Sequence, residues 1–265
     1  FLFGKRKPTK NQYEKEISYL PALEQTNNIT ICNRCGTSKP DNFYSHPCAR
    51  CGKECAYCRN CIMMGKVQSC AQLVTWTGQP VEFPVTENPL KWEGSLSPGQ
   101  QTASDRVVQA IVNKEECLVW AVCGAGKTEV LFHGIAASLQ KEERVCIATP
   151  RTDVVLELAP RLQKAFPDTV LSALYGGSKD KDICAQLVIS TTHQLLRYRR
   201  AFDTVVIDEV DAFPYSMDSS LQYAVEKSRK PSSALILLTA TPSRKLQKAA
   251  SAKKLPYVTI PARFH

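Results

Sequence analysis

No uninterrupted apolar run in this sequence approaches the length of a bilayer crossing, which leaves no candidate for a membrane-spanning helix. No secretory signal opens it. In FLFGKRKPTK a basic stretch follows three apolar-leaning residues instead of preceding a long apolar one. An internal repeat and a low-complexity tract are both lacking, so solenoid and compositionally disordered architectures drop out. Acidic residues are in deficit, 25 against 34 basic, for a formal net charge of +9. That excess suits a polyanionic partner such as nucleic acid, and it suits equally a soluble basic protein with no such partner. The first residue is not methionine, which reads as a trimmed or fragmentary form of something longer. What is present is ordinary globular material: 265 residues with 43% hydrophobic content allow one large domain, or a small one beside a medium one.

Cysteine is the exception to that ordinariness. Of the 12 cysteines, eight fall between positions 32 and 70, five of them within CARCGKECAYCRNC. The other four, Cys117, Cys123, Cys146 and Cys184, are scattered and look unpaired, which points to a reducing, cytoplasmic compartment and against a disulfide knot. Cys32-x-x-Cys35 and Cys48-x-x-Cys51 stand twelve residues apart, each followed by a glycine. This is zinc-ribbon spacing, in which two thiolates of one turn chelate an ion and the turn's N–H groups support the sulfurs. Cys55, Cys58, Cys61 and Cys70 form a second set, so the eight thiolates suit two four-cysteine sites. An interleaved grouping, with Cys32 and Cys35 joining Cys58 and Cys61, is equally open, as is one zinc with four spare thiols. A thioredoxin-type centre uses a single C-x-x-C at a helix start and does not resemble this crowding. His46 reads as a surface residue. Six basic and two acidic side chains between 31 and 70 nearly offset the negative charge of two zinc–thiolate sites. The module therefore reads as a metal staple for a stretch too short to build a core, or as a surface contacting a nucleic-acid strand through Arg50, Arg59, Tyr57 or Phe43, or docking a partner.

The text changes character near position 90. After a proline-punctuated stretch come short runs rich in Val, Ile and Leu: CLVWAVC, RVCIATP, TVLSALY, QLVIST, FDTVVIDE and ALILLTAT. Helical segments such as TEVLFHGIAASLQK separate them. Continuous apolar strands are buried on both faces, which predicts an α/β fold, a doubly wound parallel sheet covered by helices.

Within that part, AVCGAGKTE places Ala121 to Thr128 as A-x-x-x-x-G-K-T, a P-loop with alanine for its first glycine, between an apolar strand and a helix. Backbone N–H groups of Gly124, Ala125, Gly126 and Lys127 can wrap a phosphate at the positive end of the helix dipole. Lys127 neutralises phosphate charge, the Thr128 hydroxyl ligates Mg²⁺, and Glu129 completes this nucleotide-binding set for ATP. In TVVIDEVDAF, Asp208 and Glu209 follow an apolar strand, at the edge where open α/β sheets bind ligands. Asp208 is placed to hold Mg²⁺ through water, and Glu209 to orient or deprotonate an attacking water.

Asp208-Glu209-Val210-Asp211 followed by LTATPS resembles motifs II and III of superfamily 2 helicases and translocases. The resemblance implies a RecA-like domain over 96–255 in which Asp211, Thr239, Ala240 and Thr241 couple nucleotide state to strand grip. It implies that Gln100, in LSPGQQTAS, reads adenine. It further implies that Thr149, Pro150 and Arg151, then Gly176 and Gly177, then Thr191 and Thr192, hold one DNA strand by its backbone. Such motors hydrolyse ATP between two domains. No second P-loop-like domain or late arginine motif is found here, so this chain is expected to bind nucleotide weakly, hydrolyse little and not translocate by itself.

The combination of CARCG, CAYCRNCIMMG, AVCGAGKTE, DEVDAFPY and LTATPS resembles the late competence family ComFA of transformable Gram-positive bacteria, and more distantly the primosomal helicase PriA. ComFA kinship implies a cytoplasmic ATPase, peripheral at the inner face of the cell membrane. It would pull single-stranded transforming DNA inward with other competence proteins and a membrane channel as partners. The implied plan is an extension over 1–30, a cysteine-rich zinc-binding module over 31–75, a linker over 76–95, the RecA-like domain over 96–255, and the start of a connection to a second domain over 256–265. The competing reading is a zinc-dependent DNA-binding or protein-docking module whose ATPase-like domain serves mainly as a platform.

Overall fold

The computed structural model of the chain describes residues 16–261, so the expected extension over 1–30 and the connection over 256–265 lie partly outside the described residues. Six short strands build the cysteine-rich part: β1 (Ile17–Pro21), β2 (Leu23–Thr26), β3 (Ile29–Cys32), β4 (Phe43–Pro47), β5 (Glu54–Cys58) and β6 (Gln72–Trp76). They pair antiparallel as β1–β6, β2–β3 and β4–β5. Asn27 and Asn28, both at positive φ, turn β2 directly into β3, as asparagine can in a two-residue hairpin. The β1–β6 ribbon joins the two ends of the module, so its pairing begins ahead of residue 31.

The second part alternates helices and strands: α1 (Pro98–Asn113), β7 (Glu116–Ala121), α2 (Lys127–Leu139), β8 (Val145–Thr149), α3 (Thr152–Ala165), β9 (Leu171–Leu174), β10 (Leu187–Thr191), β11 (Phe202–Ile207), α4 (Ser219–Ser228), β12 (Arg229–Thr239), α5 (Arg244–Ser251) and β13 (Tyr257–Ile260). The seven strands form one parallel sheet in the order β13-β7-β12-β11-β8-β10-β9. Every residue of β8, β10 and β11 is buried, as continuous apolar runs require of a sheet covered on both faces. Residues 256–265 were expected to begin a connection to a second domain. Instead Tyr257–Ile260 adds as an edge strand beside β7, with Leu255 and Ile260 buried, because two apolar anchors hold it to the sheet.

Alternate strand residues serve two cores. Val119, Ile147, Ile189, Val206 and Ile236 pack against α1, α2 and α3. Leu118, Cys146, Val188, Val205 and Leu235 face the other way, toward α4, the turn holding Leu195 and Leu196, and Cys32, Cys35, Cys58 and Cys61. The cysteine-rich part thus supplies a piece of the sheet's second covering layer. Gly36 sits against the Tyr223 ring of α4, where a Cβ would approach to 2.6 Å, and its φ of +73° is a second reason for glycine. Lys227 of α4 donates to the Arg34 carbonyl at 2.5 Å and to the Leu196 carbonyl at 3.1 Å. Asn60 donates to the Ser220 hydroxyl at 3.0 Å.

Candidate functional site

The C-terminal edge of the sheet collects the motif residues. Parallel register aligns the strand ends, Ile207 beside Ala148, Thr149 beside Thr191, and Thr239 beside Trp120, so the segments that follow emerge side by side. Between β7 and α2 the P-loop turns through Gly124 and Gly126, both at positive φ, and delivers Lys127 and Thr128 as the first residues of α2. A cleft of about 730 Å³ opens there, lined by the P-loop with Gln100, Asp208 and Glu209 on its walls.

Asp208 continues β11 by donating its N–H to the Ala148 carbonyl at 2.8 Å, and its Oδ1 accepts from the Glu209 N–H at 2.9 Å. Burial pushes its carboxyl above the ordinary carboxylate range; the Lys127 ammonium opposes this and the Glu209 carboxylate adds to it. Glu209 holds φ at +53°, a left-handed conformation uncommon for a residue with a side chain. A desolvated carboxylate beside a second carboxylate and a helix-borne hydroxyl makes an oxygen donor set that fits Mg²⁺.

Gln100, expected to read adenine, has its amide engaged within the chain. Its Oε1 accepts from the Ser97 N–H at 2.8 Å, closing a capping box on α1, and its Nε2 donates to the Ala125 carbonyl at 2.9 Å. It braces the P-loop from below, and a Cβ on Gly126 would strike that amide. Asp211 accepts from the Ser243 N–H at 3.0 Å, and Thr239 Oγ1 accepts from the Thr241 N–H at 3.0 Å. Trp120 Nε1 donates to the Ala240 carbonyl at 3.1 Å, which ties the Thr239–Thr241 stretch to the P-loop strand.

Of the strand-gripping set, Arg151, Gly176 and Gly177 are exposed, and both glycines leave open space around them. The Arg151 guanidinium is partnered by the Asp153 carboxylate. Pro150 is half-buried. Thr191 is buried, and Thr149 and Thr192 are buried with hydroxyls that find no hydrogen-bond partner among the described residues. This conformation therefore does not bring the Thr149 and Thr192 hydroxyls to the surface.

Residues with no motif of their own complete the cleft. Trp92 lines it while its ring packs edge-on against Phe132, 5.5 Å between centroids. Arg161 of α3 reaches across to Glu129 at 2.6 Å, and also pairs with Glu157. A lone arginine on the polar side of an amphipathic helix carries no signal in sequence. Trp92 had one, its place a few residues ahead of Gln100.

The cysteines resolve into two quartets, Cys32, Cys35, Cys58 and Cys61, then Cys48, Cys51, Cys55 and Cys70, with the sulfurs of each quartet within 4.8 Å of one another. The interleaved grouping is the one formed. Closest sulfur pairs stand at 3.8 and 3.6 Å in the first quartet and 3.7 and 3.3 Å in the second, far beyond a disulfide bond. Four sulfurs at about 2.3 Å from a tetrahedral zinc lie roughly 3.8 Å apart, so both quartets suit that ion. The first is fully buried in the shared core, and the second is partly exposed near the module's tip. Gly36 and Gly52, both at positive φ, close the two C-x-x-C turns by donating to the Cys32 and Cys48 carbonyls at 2.7 and 2.8 Å. Backbone N–H groups of Cys51 and Arg50 hold the Cys48 thiol down at about 6, the support a zinc-bound thiolate needs. Gln68 Nε2 donates to Cys70 Sγ at 3.1 Å. Phe43, weighed as a strand contact, packs against the core instead, because it shares the inward face of the hairpin with Cys58.

With this geometry in view, residues 93–244, more than half the chain, match the family described as type III restriction enzyme, res subunit, and residues 3–75 match the competence protein ComFA N-terminal domain. The chain belongs to the res-subunit family and is a homologue of ComFA. It is 54% identical over 234 residues to the competence protein ComFA of Bacillus subtilis (strain 168), covering 88% of this chain and 50% of that protein. To the ComFA of Streptococcus pneumoniae it is 37% identical over 246 residues, covering 93% and 54%. The chain thus spans about half the length of the curated relatives it matches. Replication restart protein PriA of Helicobacter pylori matches at 25% identity over 58% of this chain and 27% of its own. Among solved structures, a hypothetical ATP-dependent RNA helicase from Sulfolobus tokodaii superposes with a TM-score of 0.50 at 21% identity, covering 64% of this chain and 53% of its own. The DEAD-box helicase Mss116 bound to ssRNA and UDP-BeF does so with a TM-score of 0.50 at 18% identity, covering 64% and 41%. The fold of the second part is that of a RecA-like helicase domain. No helix among the described residues is long and apolar enough to cross a membrane.

Proposed function

We propose that this chain is the nucleotide-binding part of an ATP-driven motor that moves single-stranded DNA, acting in the uptake of transforming DNA during natural competence. The observation that carries this reading is the convergence of Lys127, Thr128, Asp208 and Glu209 on one cleft, at the sheet edge that also presents Arg151, Gly176 and Gly177. Likeness to the ComFA proteins supplies the biological setting. ATP sits with its phosphates on the P-loop N–H groups at the start of α2, where peptide dipoles favour anions. Lys127 then neutralises phosphate charge, Thr128 and Asp208 hold Mg²⁺, and Glu209 orients the attacking water. Mg²⁺, when bound, draws charge from the transferring phosphoryl group. Zn²⁺ fills both cysteine quartets as a structural ion. The protein works in the cytoplasm, peripheral to the inner face of the membrane, with other competence proteins and a channel as partners. Because the relatives are about twice as long, this chain alone binds nucleotide weakly and hydrolyses little.

The test is titration of the 265-residue chain with a fluorescent ATP analogue, alongside DNA-stimulated ATP hydrolysis by a ComFA-length protein. Lys127→Ala should abolish hydrolysis, through loss of the charge that meets the β- and γ-phosphates. Hydrolysis that survives the substitution would sink the motor reading and leave the platform alternative standing.

A further inference from the structure

The outer face of the β4–β5 hairpin is furnished for a ligand that neither the nucleotide cleft nor the cysteine quartets explain. Strand alternation divides the hairpin. Phe43, Ala56 and Cys58 point into the shared core, while Tyr44, His46 and Tyr57 stand on the opposite face, which they share with Cys55 of the second quartet. Tyr44 lies opposite Tyr57 in register, with ring centroids 5.8 Å apart and planes at 61°, and it is 58% exposed. The His46 ring lies 5.5 Å from Tyr57, again edge-on. From the neighbouring loop, exposed Lys66 sets its ammonium 4.8 Å from the Tyr57 ring centroid and 2.7 Å from His46 Nε2. His46 Nδ1 lies 2.8 Å from the Pro47 carbonyl, so Nδ1 carries the hydrogen and Nε2 offers its lone pair to the ammonium. The cation is positioned by an imidazole and a ring, and no carboxylate among the described residues pairs with it. Beside it the Tyr44 ring is more than half exposed.

We propose that this face is a stacking platform for single-stranded DNA, in which an unpaired base lies on Tyr44 and Lys66 meets an adjoining phosphate. An exposed aromatic ring next to a cation that no carboxylate among the described residues neutralises is the chemistry that takes a base and its backbone together, and only an unpaired base offers its face. Arg50, Lys53 and Arg59 are exposed on the same module, as are Asp41 and Glu54, which leaves it a basic excess. The loop that carries Lys66 also touches the motor part. It begins at Met64, whose sulfur accepts from Gln194 Nε2 at 3.7 Å, and Gln194 lies in the turn that starts at Thr192. Arg34 pins that loop by donating to the Met64 and Gly65 carbonyls at 2.6 and 2.9 Å. The choice of polymer rests on the motor reading above; the chemistry of the face does not.

The measurement is fluorescence anisotropy of labelled oligo(dT) titrated with the zinc-loaded 265-residue chain at several salt concentrations. Tyr44→Ala should weaken binding about 5- to 150-fold, the loss of one stacked base, while Tyr44→Trp restores it. On an abasic strand of equal length, Tyr44→Ala should bind as the unaltered chain does, since there is nothing to stack. Lys66→Ala should flatten the slope of log K against log salt by about 0.7, one phosphate contact on a single strand. Unaltered oligo(dT) binding by Tyr44→Ala, an equal loss on the abasic strand, or an unchanged salt slope in Lys66→Ala would each overturn the platform. So would failure of the unaltered chain to bind any oligonucleotide, or a Tyr44→Ala phenotype confined to partner docking. Should Tyr44→Ala lose zinc, the Lys66→Ala slope decides. The motor reading fails by a separate route, ATP hydrolysis insensitive to Lys127→Ala.

Discussion

Asp208 shows how much chemistry one position carries. Its burial, worsened by Glu209 and eased by Lys127, raises its pKa in the folded chain above the unfolded value. A carboxyl with a raised folded pKa is protonated more readily in the folded state, so its ionisation costs stability. The cost is absent below the ordinary aspartate range, grows as pH climbs to the raised value, and is complete above it. Asp208→Asn should therefore melt a few degrees higher than the unaltered chain at neutral pH without Mg²⁺, and the advantage should vanish in acid. The same variant should lose Mg²⁺-dependent ATP hydrolysis in a ComFA-length protein. A thermal scan across pH checks the sign, and a variant less stable at neutral pH would contradict it. Asparagine still offers an oxygen to the Glu209 N–H, so the comparison isolates the charge. The place of Lys127, Thr128, Asp208 and Glu209 on the cleft was legible in the sequence because each sits on the backbone turn or strand end that its own motif names. The duties of Gln100 and Arg161 were not, since their partners Ala125 and Glu129 lie 25 and 32 residues away.

At the level of elements, β5 decides the metal chemistry. Cys55 and Cys58 are three apart on one strand, an odd separation that sends them to opposite faces and to different quartets. That parity was present in the sequence, but it acquires meaning only once CAYC is known to be extended. Each quartet should bind one zinc, so Cys58→Ser and Cys51→Ser should each lower the content from two ions per chain to one. Their consequences should differ. Cys58 lies in the core shared with α4, and its loss should cost more than about 4 kcal/mol, in the class of lost structural metals. Cys51 is exposed near the module's tip, and its substitution should leave nucleotide binding unchanged. Zinc assays beside chemical denaturation would check both, and equal destabilisation by the two variants would refute the distinction. β13 follows the same logic. Its apolar alternation is visible in sequence, but its partner β7 lies more than 130 residues back.

Taken whole, the molecule is more unified than its two compositional halves suggest. Cys32, Cys35, Cys58 and Cys61 belong to the same buried cluster as Leu118, Val205 and Leu235 of the sheet. The zinc-loaded chain should then unfold in one cooperative transition, with circular dichroism, zinc release and loss of nucleotide binding coincident. Early release of both zinc ions with the nucleotide site left intact would show that the shared cluster, which holds only the first quartet, contributes no coupling. By itself the sequence determined the parallel α/β layers, the P-loop, the paired carboxylates, the metal-binding character of the cysteines and the likeness to ComFA. Each of these is local, a period of apolar residues or a few side chains on one turn. Only the tertiary structure decided which cysteines meet, that the module covers part of the sheet, that Gln100 is spent on the P-loop and that Tyr44 is left exposed. Those outcomes depend on which faces of distant segments are buried together, and burial is a property of the packed molecule that no single segment carries.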